Sequence, residues 1–519
     1  MPQKTWLRVL ISMSLFFVGL LAIYLFWRWI LDGGNTGPPT LGRQTTAVVD
    51  PQYVREDGSI SYVRAINDWR SEGVNPADNA FVDLMRALGA QSYPASDWLL
   101  AWHAAAGPDV EPPTGPFLGA ASLKTQKEIE EYDQSMSRPW RSEEFPQFAT
   151  YLQTNHVCLD LAVSASKKDQ FYSPLIIPDQ IGNSMIEALL PILDGARNLA
   201  RGLKMRAMNH LAHGRTQACL DDLLSTRRIG YLVSQKGLAI EHLVGLAIVQ
   251  MAIDGEIQAI QSGQLSKAEV EGYLAQLEAL PKFNKLSDCV DRAERFCSLD
   301  MLQSFGFGEN QAGQMAGWTG IEGLSSSFDL DIASEILNDF IDQQVEITQS
   351  ATFAEQVQKG DSFEETMNQL RPATHPLTIG FQTIAGGNRT RGKLMGNVMA
   401  TLMLPAVSQL CQADARRVSL ERMAFLALHL EHFRIENGEY PASLDHLQLG
   451  NHPSLSDPYS NRPIHYQRRE HGYQLHVVGA NMQDDQGVGM MERDGDERLG
   501  DDWKIEIDRS KMADDKTGD

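Results

Sequence analysis

From Met423 to Phe433 the apolar residues Met423, Leu426, Ala427, Leu430 and Phe433 recur at offsets of 3, 4, 7 and 10, which is one face of a helix. That period then stops. Asn437-Gly438 places a glycine where a helix ends in the left-handed region, and Pro441 prevents continuation. Beyond the stop the period changes to two. Ile464-His465-Tyr466 and Tyr473-Gln474-Leu475-His476-Val477 alternate as strands, joined through Glu470-His471-Gly472, and Trp503-Lys504-Ile505-Glu506-Ile507 alternates again. Such a switch forces a helix to lead into a small three-stranded antiparallel sheet.

The residues along this stretch carry a resemblance. Glu436-Asn437-Gly438-Glu439-Tyr440-Pro441, Asp457-Pro458-Tyr459-Ser460-Asn461-Arg462-Pro463, Gly472-Tyr473-Gln474-Leu475, Val478-Gly479-Ala480-Asn481 and Asp501-Asp502-Trp503 together resemble the globular domain of the major pseudopilin of type II secretion systems. The resemblance implies a long helix, a small sheet and a last loop that holds calcium. Between the last two strands lie Asn481, Asp484, Asp485, Asp494, Asp496, Asp501 and Asp502. Calcium takes six to eight oxygens, commonly on a loop of this kind; a solvated acidic loop is the other reading. Carried onto this chain, the family's pattern implies ligands at Val478 (carbonyl), Asn481, Asp501 and Asp502, with Asp484 and Asp485 as further candidates. Two departures are visible: Asn481 stands where the family has an Asp, and Met490-Met491-Glu492-Arg493 lengthens the loop.

At the other end, Trp6 to Ile30 is nearly all apolar, long enough to cross the hydrocarbon core as a helix. Trp6, Tyr24, Trp27 and Trp29 lie near its ends, where aromatic rings favour the headgroup zone. Trp27-Arg28-Trp29-Ile30-Leu31 offers no small-x-small cleavage site, so an uncleaved signal anchor is expected. Lys4 and Arg8 precede the span, which puts the N-terminus inside and the body outside the cytoplasmic membrane, on its periplasmic side. No acid interrupts Leu7 to Ile30 and no Gly-Phe cleavage motif precedes it, unlike true pseudopilins; this chain looks like a fixed anchor rather than a filament subunit.

The expected fold class is mainly α: an N-terminal transmembrane helix, an all-α body and a small α+β pseudopilin-like C-terminal domain. The expected divisions are a cytoplasmic tip and anchor (1–31), a flexible linker (32–60), a helical body (61–393) with a Gly-rich loop at 306–327, the long helix and sheet (394–508), and a charged tail (509–519). Helical spacing is clear in Phe148, Tyr151, Leu152, Val157, Leu159 and Leu161 and again from Leu190 to Met208. A helix from Thr216 to Val233, broken at Lys236-Gly237, pairs with one from Leu238 to Ile260. The stretch Leu238 to Ile253 is apolar but short for a bilayer and interrupted by Glu241, His242 and Gln250, so it reads as a buried core helix. Phe145-Pro146 through Tyr151-Leu152-Gln153-Thr154-Asn155, Phe171-Tyr172-Ser173-Pro174-Leu175 and Ala239-Ile240-Glu241-His242-Leu243-Val244-Gly245 add a second resemblance, to large planctomycete membrane-anchored proteins that join a helical body to a pseudopilin-like tail. It implies an architecture and no activity.

A net charge of -22 disfavours nucleic acid and anionic surfaces as partners and suits a body that holds cations. Five cysteines without CxxC spacing argue against zinc ribbons or a disulfide framework, with one bridge open if the body is exported. Gly387-Asn388-Arg389-Thr390-Arg391-Gly392-Lys393 matches the start of a phosphate-binding loop, but Leu394 replaces the magnesium-binding hydroxyl and no βαβ unit surrounds it. His429/His432 and His210/His213 sit three apart, a spacing compatible with zinc and more often with packing. The reading is a membrane-anchored extracytoplasmic structural or interaction protein with a protein partner, alongside secretion or pilus-like machinery, and no enzyme. A helical ligand-binding domain with its pocket under the Gly-rich segment, and a hydrolase of unrecognised type, stay open beside it.

Overall fold

The computed structural model describes residues 38–89, 95–177, 185, 190, 192–306, 328–371, 387–404, 407–489, 493–494, 497–498, 500 and 501–510. The expected span at 6–30, most of the Gly-rich loop and the tail beyond 510 lie outside them.

The chain is mainly helical with a small C-terminal sheet. Helices α1 (Tyr62–Ser71), α2 (Ala80–Leu88), α3 (Ala95–Ala106), α4 (Gln126–Ser137), α5 (Pro146–Thr154), α6 (His156–Ser166) and α7 (Ile192–Ala212) lead to the hairpin of α8 (Thr216–Val233) and α9 (Ala239–Ser262). Then follow α10 (Lys267–Glu278), α11 (Arg295–Gly306), α12 (Leu330–Thr348), α13 (Phe353–Leu370), α14 (Asn388–Met403) and α15 (Val407–Asn437). The hairpin corner is where Lys236 takes a positive φ of 47°. Helix α9 carries Val244, Ile248, Val249 and Ile253 fully inside the molecule, so its apolar run serves the core.

Two apolar cores organise the body. The first joins Phe81 of α2, Leu203 of α7, Leu223 of α8 and Ile248 of α9 to Met423, Leu426 and Leu430 of α15 and to Tyr473, Leu475, Ile505 and Ile507 of the sheet. The second holds Ile60, Ile66 of α1, Met301 of α11, Leu337 and Ile341 of α12, and Met395 and Met399 of α14, and it reaches Val407 and Leu410 at the start of α15. Helix α15, 31 residues and about 46 Å long, therefore belongs to both. The packing does not divide between 393 and 394 as expected: α14 belongs with the body, and the sheet shares its core with α2 to α10. The sequence reading followed one face of α15, whereas Ala424, Phe425 and Leu428 on other faces are buried too.

Residues 38–60, expected to be a flexible linker, are packed. Val48 and Ile60 are buried, Gly42 bridges Val48, and Val54 bridges Ile60. Gln303 of α11 holds Ile60 from both sides, accepting from its N–H at 2.8 Å and donating to its carbonyl at 2.6 Å.

Buried charges cross-link the helices. Arg227 of α8 meets Glu256 of α9 at 3.0 and 2.6 Å, and Tyr273 of α10 donates to the same carboxylate at 2.7 Å. Glu241 of α9 pairs with Arg70 of α1 at 2.6 Å, both almost wholly buried. Glu241 and His242 thus work apart: His242 packs edge-on against Phe283, its centroid 5.2 Å away. The apparent phosphate-binding match runs straight into α14, with Asn388 and Arg391 buried and bonded to each other, so no loop remains to wrap a phosphate. The histidine pairs also diverge. His432 meets Glu271 at 2.9 Å while His429 packs on Phe425; His213 bonds the Asn209 carbonyl while His210 faces Asp222. All five cysteines are free thiols.

Candidate metal centre

Helix α15 ends as the sequence demands. Gly438 has a φ of +82° and donates to the Arg434 carbonyl at 2.8 Å. The chain then returns through Asp457, whose buried carboxylate accepts from the Tyr459 N–H (2.9 Å), the Ser460 hydroxyl (2.6 Å) and the Val478 N–H (3.3 Å). The sheet runs β1 (His465–Arg469), β2 (Gly472–Val477) and β5 (Trp503–Asp508) in the order β1-β2-β5, all antiparallel. Two short strands, β3 (Arg493–Asp494) and β4 (Glu497–Arg498), form a separate hairpin within the loop from β2 to β5. Both ends of β5 are pinned to α15: Arg416 lies over the Trp503 ring at 3.9 Å where the loop ends, and Arg509, just past the strand, bonds the buried Glu431 at 2.7 Å.

Where β2 leaves the sheet and β5 enters it, Asp485, Asp501 and Asp502 converge, each offering a carboxylate oxygen within 4.8 Å of the others. Two of these oxygens have no partner: Asp501 Oδ1 and Asp502 Oδ1 are buried without a hydrogen bond. A buried acceptor left this way costs about 1–3 kcal/mol, more when charged. Three of the other four oxygens are fixed by backbone amides. Asn481 N–H reaches Asp501 Oδ2 at 3.0 Å, Asp501 N–H reaches Asp485 Oδ2 at 3.0 Å, and Gly487 N–H reaches Asp502 Oδ2 at 2.8 Å. Burial pushes the Asp502 carboxyl above its ordinary value, against the pull of the Gly487 and Asp485 amides and of nearby His476, with repulsion from the Asp485 carboxylate adding slightly to the rise. Gly479 makes room for this arrangement, since a Cβ there would sit 2.1 Å from Asp501 Oδ1. Three hard carboxylates with two orphaned oxygens fit a calcium-class cation and suit a thiophilic metal poorly.

Of the other expected ligands, Asn481 and Asp484 are turned to other partners. Asn481 gives the cluster donors: its side-chain nitrogen bonds Asp485 Oδ2 at 3.0 Å while its oxygen accepts from Gln483 N–H at 2.6 Å. Val478 is buried at the end of β2. Asp484 turns away from Asp485 altogether and bonds His476 Nε2 at 3.0 Å, with His465 Nδ1 at 3.7 Å. Burial raises the Asp484 carboxyl, but the Gln486 amide and His476 outweigh it and hold it below its ordinary value. Asp496 and the side chain of Asp494 lie outside the described residues. Sequence reasoning passed over His465 and His476, although the hairpin register places them directly opposite one another. That register was the available signal.

No protein-family model, curated protein or solved structure matches this chain.

Proposed function

We propose that this chain is a membrane-anchored extracytoplasmic structural or interaction protein whose C-terminal sheet is closed by calcium. The observation that carries the reading is the pair of buried, unpartnered carboxylate oxygens of Asp501 and Asp502 beside Asp485. Asp485, Asp501 and Asp502 would hold the ion, which supplies charge neutralisation where three acids crowd between two strands. The amides of Asn481, Asp501 and Gly487 keep those carboxylates aimed, and the Arg416–Trp503 contact ties the end of the loop to α15. The apolar run from Leu7 to Ile30, the excess of acid and the pseudopilin-like tail support an anchored body facing an aqueous, calcium-containing compartment, with a protein partner from secretion or pilus-like machinery.

Carbonate extraction tests the anchor: the chain should stay with the membrane pellet, and protease added to cells stripped of their outer layer should digest the body. Release by high salt alone would overturn it. Limited proteolysis tests the ion: millimolar calcium should slow cleavage between 478 and 502, and a chelator should restore it. Equal cleavage rates in both would remove the calcium part of the reading.

A further inference from the structure

We propose that His465, His476 and Asp484 form a second site, for a divalent transition-metal ion of the zinc class, sharing no ligand with the acid cluster beside it. His465 on β1 and His476 on β2 are directly opposed in the hairpin register, with rings stacked 4.5 Å apart at 11°. Asp484 reaches over both from the loop, at 3.0 Å from His476 Nε2 and 3.7 Å from His465 Nδ1. One ligand atom from each residue lies within 4.8 Å of the other two. A tetrahedral zinc with bonds of about 2.0–2.1 Å needs its ligands about 3.3 Å apart.

The chemistry separates the two neighbours. Two imidazole nitrogens and one carboxylate select a borderline metal, whereas three carboxylates select a hard one. Asp484 is held in place by the Gln486 N–H at 2.8 Å. His465 and Asp484 are half-exposed while His476 is mostly covered, which gives an ion a path in from the His465 side and leaves coordination positions open to water or to a partner's side chain. With an ion bound, β1, β2 and the 478–502 loop would be tied at one point on the solvent side, opposite the face that packs on α15.

Cobalt(II) titration of the full chain, followed by zinc competition, tests this. The wild type should bind one cobalt with visible d–d absorption that zinc displaces. His465→Gln, His476→Gln and Asp484→Asn should each weaken binding at least tenfold. Asp501→Asn/Asp502→Asn should leave the cobalt signal intact, which separates this site from the calcium reading. Copper(II) and ascorbate oxidation of the unaltered chain needs no variant and should mark His465 and His476. Cobalt affinity unchanged in His465→Gln/His476→Gln, or oxidation that spares both histidines, would overturn the proposal.

Discussion

At the scale of single residues, conformation and titration give the sharpest expectations. Gly438 has open space around it, so only its φ of +82° restricts what can replace it. Gly438→Val should therefore lose more than about 1 kcal/mol in urea denaturation, because β-branched residues resist positive φ, while Gly438→Asn should lose less. His429 offers a titration test. Burial, with His432 and His452 nearby, lowers its pKa from 6.5 to about 4, and its Nε2 is buried without a partner. The unfolded chain thus takes up a proton that the folded chain refuses, so stability present above about pH 6.5 is lost as pH falls towards 4. His429→Leu should flatten that part of the stability-versus-pH curve; an unchanged slope would show that His429 is not responsible.

At the scale of elements, periodicity made most of the helices and strands legible. The bounds of α8 and, to within a residue, of β2 and β5 follow from spacing and breakers, whereas β1 runs to Arg469, past the expected Ile464-His465-Tyr466; Gly438 ends α15 as its position requires. Spacing alone does not set the direction of side chains in a loop. Asp484 and Asp485 are adjacent in sequence yet serve different clusters, within a turn flanked by Met482 and Gln486 at positive φ. Nor does composition reveal which charges are buried. Glu256 is wholly buried between Arg227 and Tyr273, and Glu256→Ala should cost about 3–5 kcal/mol by leaving Arg227 uncompensated. Tyr273→Phe, which keeps the ion pair, should cost about 1 kcal/mol. If both variants melt like the wild type, the network is not a cross-link of α8, α9 and α10.

At the scale of the whole molecule, α15 decides the outcome. One side of it meets the sheet and another meets α9 and α10, so the C-terminal part shares its core with the body. A fragment covering 407–510 would lose the packing of α15 on α9 and α10 and should not give a cooperative thermal transition, while the full chain should. A cooperative fragment would restore the tail as a separate domain. The central claim is the cation at Asp485, Asp501 and Asp502, and it predicts a change of sign. Because the Asp502 carboxyl is raised above its ordinary 3.8, its charge lowers the stability of the ion-free fold as pH rises through that range. Asparagine removes that charge while its oxygen can still accept from Gly487. The most direct measurement is the melting temperature of wild type and Asp502→Asn, each in chelator and in millimolar calcium at neutral pH. Calcium should stabilise the wild type by about 2.7 kcal/mol at a hundredfold excess over Kd. Asp502→Asn should melt at or above the wild type in chelator and below it in calcium. A wild-type melting temperature that ignores calcium and chelator alike, with Asp502→Asn shifted equally in both, would contradict the account.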